Sequence, residues 1–361
     1  MDIVLEIADT LVLDRVYATL LPAAPSSYLS NQFRNGSTST FSSIREGATA
    51  TPQYKYIFEP ASKYISLEPT VWAYGSAWPR DHILRQFISL FFIVWIFGVL
   101  LYFVFATLSY IFIFDKKTFE HPKYLKNQVK MEIAQAQKAM PGMSLLTAAC
   151  MLAEVRGYSK LYDSADEAPF PLYNLLQFPF FVLFTDFCIY WIHRGLHHRS
   201  VYKTLHKPHH KWIMPTPFAS HAFHPLDGFA QSIPYHLFPF LFPLQKFAYI
   251  FLFAFINFWT IFIHDGEYYA NSPVINGAAC HSLHHWYYKC NYGQFTTLWD
   301  RLGGSYRKPG DELFNKDSKT EKGVWAKQSK EMEKVVMEEE GEDDRTYLAD
   351  KTTPAATKKV Q

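Results

Sequence analysis

The segment Gln86–Phe114, QFISLFFIVWIFGVLLYFVFATLSYIFIF, carries no charged residue over 29 positions. A bilayer core of ~30 Å is crossed by ~20 apolar residues rising ~1.5 Å each, so this segment is predicted to span a membrane as a helix. It is too long, and begins too far from the N-terminus, to be a cleaved signal peptide. Residues 1–30 also lack a basic stretch followed by a small-residue cleavage site. The 361 residues therefore read as an all-α integral membrane protein rather than a string of soluble domains.

Downstream of this span, the lysine-rich stretch Asp115–Lys138 is expected in the cytoplasm by the positive-inside rule. Met140–Val155 is a weaker apolar run, either a short span or half of a hairpin. Pro169–Ile192 (PFPLYNLLQFPFFVLFTDFCIYWI) reads as a second full span and ends directly on His193. Two further apolar runs, Gly228–Pro243 and Phe247–Ile263, meet at Leu244-Gln245-Lys246. A lysine at a bilayer centre costs ~2.5–3.5 kcal/mol, so Lys246 is placed at a hairpin tip. The expected total is four or five spans, and the hairpin brings the chain back at His264 to the face it left.

Three regions follow: 1–84, read as lumenal; 85–308, the transmembrane domain; and 309–361, a charged cytosolic tail. Residues 1–60 are polar and mixed, with an irregular stretch at Asn31–Ser43 and a glycosylation sequon at Asn35-Gly36-Ser37 that is usable only in the lumen. The tail, KDSKTEK followed by KEMEKVVMEEEGEDDR, is expected to be largely disordered with at most one amphipathic helix. It finishes Lys358-Lys359-Val360-Gln361, which resembles the dilysine retrieval signal of endoplasmic reticulum membrane proteins. The net charge of +2 comes without the basic stripe of a nucleic-acid binder. Cys150, Cys188, Cys280 and Cys290 form no C-x-x-C pair, and no disulfide framework is expected.

Thirteen of the fifteen histidines fall between His193 and His285. They include H-R-G-L-H-H (His193, His197, His198), H-K-P-H-H (His206, His209, His210), an isolated His264 and H-S-L-H-H (His281, His284, His285). Helical residues three and four apart share a face, so each H-x-x-H-H box is expected to project as one patch. His193 and His197 lie one turn apart. Five residues along a helix turn His198 away from His193 by ~140°. Imidazole suits Fe, Zn, Cu and Ni, and a structural zinc site needs only four ligands. Nine or ten histidines are too many for one ion and suit two. His82 and His121, alone in sequence, are read as ordinary core or surface residues, and structural roles are favoured for His221, His224 and His236.

Asp186 lies inside a span, seven residues before His193. Carboxylates within a membrane are costly and are usually paired. Two roles stay open for it: accepting the outer N–H of a metal-bound histidine, or a structural hydrogen bond to a neighbouring helix.

The histidine boxes over about residues 170–305 resemble the membrane-bound di-iron oxygenase and desaturase superfamily, also called the fatty acid hydroxylase superfamily. A closer likeness covers roughly residues 85–308. FEHPKYLKNQVKMEI (Phe119–Ile133), D-x-x-x-x-W-I-H-R-G-L-H-H from Asp186, L-H-K-x-H-H-x-W from Leu205, I-H-D-G (Ile263–Gly266) and C-H-S-L-H-H from Cys280 are similar to sterol C-5 desaturases, the fungal ones especially. One departure is that several superfamily members carry an H-x-x-x-H pair where this chain has His264 and then Tyr268, which leaves His198 to complete the set.

That resemblance implies two irons held by these ten histidines in a helical cap on the cytosolic face. It further implies a delta-7 sterol substrate taken from the membrane lipid and O2 as co-substrate. Electrons would come from NAD(P)H through cytochrome b5 and its reductase. The reaction would introduce the C-5(6) double bond on the route to ergosterol, with episterol as the fungal substrate. The alternatives are a methyl-sterol oxidase or fatty-acid hydroxylase of the same chemistry, and a histidine-rich metal transporter. Transporters place their ligands near the bilayer midplane, whereas these clusters lie beyond the ends of the spans.

Overall fold

The structure is a computed structural model that describes residues 1–23, 58–65, 67–269 and 271–349. The Asn35 sequon, the Asn31–Ser43 stretch and Lys358-Lys359 lie outside the described residues. Among the described residues, the α-helices of five or more residues are α1 (Asp2–Ala8), α2 (Asp14–Leu20), α3 (Ile83–Phe112), α4 (Gln128–Val155) and α5 (Tyr173–Leu196). They continue with α6 (Pro225–Leu241), α7 (Lys246–Phe262), α8 (Ala278–Tyr287), α9 (Leu298–Leu302) and α10 (Lys322–Glu340).

The uncharged segment forms α3, 30 residues and so about 45 Å long. Phe92, Ile96, Leu100, Val104 and Leu108 recur every fourth residue and are all exposed, which aligns an apolar stripe along its outer face. Its inner face buries Leu90, Leu101, Tyr102 and Ala106. The 24-residue α5 exposes Leu175, Leu183, Phe187 and Trp191 in the same way. Continuous apolar surface on this scale marks a face that contacts a membrane or another protein. These two helices are long and apolar enough to cross a membrane; α7 is apolar but has only 17 residues.

Five helices lie side by side in alternating directions. Leu90 packs with Met151, and Ala106 with Ala136, so α3 and α4 run antiparallel. The Met140–Val155 run therefore packs antiparallel against α3. It is the second half of the 28-residue α4, whose polar first half buries Gln128 and Glu132. Phe181 of α5 meets Phe238 of α6, and Tyr249 of α7 meets Glu154 of α4. The hairpin expected around Leu244–Lys246 is present: Leu244–Gln245 pairs in parallel with Leu161–Tyr162, and Lys246 Nζ sits 2.6 Å from Asp2 Oδ2. The four reversals between these helices thus sort to two ends, and every histidine box lies at the end away from Lys246.

Both termini differ from expectation. Residues 2–20, read as part of a polar stretch, form α1 and α2 with a π turn, Asp9–Leu13, between them. Ile3 and Leu5 are buried, and Arg85 at the start of α3 reaches Asp9 (2.7 Å) and Asp14 (2.6 Å). Residues 311–349, expected to be largely disordered, are ordered against the histidine end. Met332 and Val336 of α10 pack on Leu283 and Trp286 of α8, and Leu125 bridges Tyr347. The apolar spacing at Trp325, Met332 and Val336 gives that charged helix one face to bury. Cys150, Cys188, Cys280 and Cys290 are free thiols, as expected.

Candidate metal centre

Nine of the ten predicted histidines converge into two groups. His193, His197, His206, His210 and His284 form one, and His209, His264, His281 and His285 the other. In each group the ligand nitrogens lie within 4.8 Å of one another. The inward atoms are Nε2. His193–His206 are 3.1 Å apart, His197–His284 3.2 Å and His210–His284 3.0 Å. In the second group His264–His281 are 3.0 Å apart, His281–His285 3.2 Å and His209–His264 3.5 Å.

Each H-x-x-H-H box is split between the groups rather than forming one patch. His281 and His285 go to the four-histidine group while His284 turns to the five-histidine group. On α8, residues i and i+4 differ by ~40° but i+3 and i+4 by ~100°, so adjacent histidines face different ways. The box at His206 repeats the arrangement: His206 and His210 pair, and His209 crosses over. His206 ends a π turn, Tyr202–His206, a local rewinding frequent at functional sites. His193 and His197 close α5 one turn apart, and His264 follows the end of α7.

Among the described residues His198 joins neither group. It is exposed, and its Nδ1 bonds Ser200 Oγ at 2.7 Å. α5 ends at Leu196, before His198, so no further helical turn brings its ring back to the His193 face. Tyr268 is buried in the apolar cluster beneath α8 instead of facing the histidines. The second group accordingly has four imidazoles.

The outer ring nitrogens are held by fixed acceptors. His193 Nδ1 donates to Tyr292 O (2.9 Å), His284 Nδ1 to Cys290 O (2.8 Å) and His264 Nδ1 to Thr260 O (2.7 Å). His206 Nδ1 donates to the Asp227 carboxylate at 2.8 Å. An acceptor at Nδ1 fixes the proton there and leaves the Nε2 lone pair facing the centre. Burial, reinforced by repulsion from neighbouring imidazoles, holds His197, His209, His210, His281, His284 and His285 well below the usual imidazole range. Burial pushes His264 down to about 4. Neutral, converging, pre-oriented imidazoles are what a cation requires of its ligands. The donor set fits two ions, one of five and one of four nitrogens.

Asp186 bonds no histidine among the described residues. Its carboxylate accepts from the backbone N–H of Gln294 (2.9 Å), Phe295 (2.8 Å) and Thr296 (3.1 Å), and from Thr296 Oγ1 (2.5 Å). Of the two roles left open, the structural one holds with a different partner, the 294–296 loop rather than a helix, and it still bears on the site. Asp300 accepts from Tyr292 N (2.9 Å) and Gly293 N (2.8 Å), so the two acids clamp from both sides the loop whose carbonyls orient His193 and His284. A Cβ at Gly293 would lie 2.5 Å from Thr296 O, so the tight loop demands glycine.

The acid that does touch a ligand, Asp227, escaped the sequence reading. It is the one charged residue in Pro225–Leu241, and the argument that picked out Asp186 applies to it equally. A second omission is Glu340. It is buried and accepts from Tyr202 Oη (3.1 Å), Tyr288 Oη (3.0 Å) and Arg345 (2.7 Å). Arg345 also donates to His210 O at 3.1 Å, and the Tyr288 ring stacks on His210. Nothing in the local sequence of the charged tail signals this contact.

A cavity of about 130 Å³ runs from the histidines into the bundle. It touches His193 of one group and His209, His264 and His281 of the other. Its lower part is lined by Val94, Phe97 and Gly98 of α3 and Phe253 of α7. Phe97, which lines it, is also exposed on the apolar outer face about halfway along α3. His221 and His236 line it too, while His224 caps α6 by accepting from Leu226 N.

Comparison with known proteins agrees with this site. Residues 178–305, which contain all nine converging histidines, match the family model described as fatty acid hydroxylase. The chain is 63% identical to a Delta(7)-sterol 5(6)-desaturase of Aspergillus fumigatus, over 97% of this chain and 98% of that one. It is 58% identical to the Delta(7)-sterol 5(6)-desaturase of Leptosphaeria maculans over the full length of both, and 49% identical to that of Candida albicans over 96% of this chain and all of that one. No solved structure matches.

Proposed function

The chain belongs to the Delta(7)-sterol 5(6)-desaturase family, and from that premise we propose that it introduces the C-5(6) double bond into delta-7 sterols in ergosterol biosynthesis, using O2. The observation that carries this reading is the joining of both histidine groups to one cavity whose lining includes Phe97 of the apolar outer face. A sterol dissolved in the bilayer can move sideways into such a cavity without crossing water.

In the reaction, hydrogens leave C-5 and C-6 as two electrons and two protons. A further two electrons and two protons from an external donor complete the reduction of O2 to two waters. We assign iron to both groups, with His193, His197, His206, His210 and His284 holding one ion and His209, His264, His281 and His285 the other. Iron supplies the oxidising power toward an unactivated C–H bond that no side chain has. The protein's own part is geometric. Tyr292, Cys290, Thr260 and Asp227 fix the ring orientations, and the burial of eight of the nine histidines keeps bulk water from the reacting carbons. The electron donor in this reading is reduced cytochrome b5, supplied by its reductase from NAD(P)H. The location is the endoplasmic reticulum membrane, crossed several times, with the histidine end in the cytosol.

Sterol profiling of cells lacking the protein tests the substrate: delta-7 sterols without the C-5 double bond should accumulate. Accumulation of 4-methyl sterols instead would assign the chain to a different oxidation. Purified protein should contain two irons per chain and consume O2 only when a delta-7 sterol and an electron donor are both present.

A further inference from the structure

The polar groups in the cavity do not lie at one depth, and depth decides which of them can meet a sterol's 3-hydroxyl. Four bonds of roughly 1.5 Å separate the 3-oxygen from C-6, so the two are at most about 5 Å apart. With C-5 and C-6 at the histidines, the hydroxyl must also lie close to them.

His236 fails this condition. It is buried, lines the cavity, and its Nε2 has no partner among the described residues. It stands nine residues beyond Asp227 on α6, about 13 Å from the level at which Asp227 meets His206. Asn257 satisfies it. On α7 it precedes His264 by seven residues, about 10 Å, but the His264 ring folds back a full turn to bond Thr260 O. That leaves about 5 Å between their levels.

The bonding of Asn257 is also unfinished in the required way. Its Nδ2 donates to Phe253 O (2.8 Å), and its Oδ1 faces His221 Nε2 (3.3 Å). Ser220 Oγ, 3.0 Å from His221 Nδ1, can donate there, which leaves the proton on Nε2 for Asn257. A primary amide has two N–H groups and two lone pairs, so one donor and one acceptor remain. A hydroxyl needs one of each. Among the neighbours, Thr260 Oγ1 donates to Ile256 O and accepts from Gln294, and one N–H of Gln231 is held by Asp227.

We propose that Asn257, held by His221, binds the sterol 3-hydroxyl and sets the substrate's orientation.

This inference rests on the desaturase reading above. The test is the ratio of kcat/KM for a delta-7 3β-hydroxysterol to that for its 3-deoxy analogue, measured in membranes containing equal amounts of metal-loaded protein. The wild type should favour the hydroxysterol at least about tenfold, and Asn257→Leu should lower that ratio by about the same factor. Unequal partitioning of the two sterols into membranes affects both proteins alike, so the change in ratio reports on the pocket. If Asn257→Leu fails to accumulate, Asn257→Ser removes the same amide and carries the same expectation. A wild type that uses both sterols equally, or a variant that keeps the wild-type ratio, overturns the assignment. A wild type that desaturates neither sterol counts against the desaturase reading itself.

Discussion

His209 and His210 are adjacent in the chain and belong to different metal groups: His210 Nε2 lies 3.0 Å from His284, whereas His209 Nε2 faces His264 at 3.5 Å. The same divergence separates His284 from His285. Two H-H dipeptides therefore stitch the centres together, and neither centre is complete without both boxes.

Single substitutions should separate the centres by metal content. His210→Ala and His209→Ala are each expected to retain about one ion per chain, lost from different groups, and both should abolish desaturation. His198→Ala, at an exposed site, should keep both ions and full turnover. Elemental analysis beside a sterol desaturation assay reads all three; loss of an ion in His198→Ala would restore it to the ligand set.

Asp227 and Asp186 should fail differently. Asp227→Asn weakens the acceptor on His206 and is expected to cost roughly 10–100-fold in metal affinity or activity. Asp186→Asn turns an amide N–H toward a loop of N–H donors, so its main effect should be a loss of stability of about 1–3 kcal/mol. Metal titration against thermal unfolding in detergent distinguishes them.

The C-terminal segment should prove structural to the site. Glu340 and Arg345 are both fully enclosed, and breaking such a pair costs about 3–5 kcal/mol. Glu340→Gln should lower Tm markedly and loosen the Tyr288–His210 stack. Glu338, paired with Lys334 on the exposed surface, offers the contrast: Glu338→Gln should shift stability by less than about 0.5 kcal/mol.

Metal-free protein should lose stability as the pH falls. His264 is held at about 4 in the folded chain, against an ordinary imidazole value near 6.5. The unfolded chain then binds protons first, so the contribution is intact above about 6.5 and disappears as the pH drops toward 4. The other depressed histidines add in the same direction. Melting curves across this range should show the fall, and bound metal should delay it to lower pH.

The apolar runs disclosed α3, α5 and the α6–α7 hairpin because a backbone without water must bond within a helix, and a charge such as Lys246 must sit at a tip. They were silent on α1 and α2, whose short apolar turns become meaningful only against α3. Nor did they show that the charged tail folds, since the apolar face of α10 has no purpose until α8 supplies its partner.

Sequence alone determined the inventory: imidazoles in a number suited to two ions, in boxes near the ends of apolar helices, with motifs that resemble sterol desaturases. Helical periodicity and the rarity of charge in apolar segments are local properties, legible without a fold. Tertiary structure decided the assignment. It divided each box between two centres, released His198, gave Asp186 to the 294–296 loop and Asp227 to His206, and set Asn257 at the depth of a sterol hydroxyl. Those outcomes depend on distances between residues remote in the chain, which packing fixes and spacing in sequence does not encode.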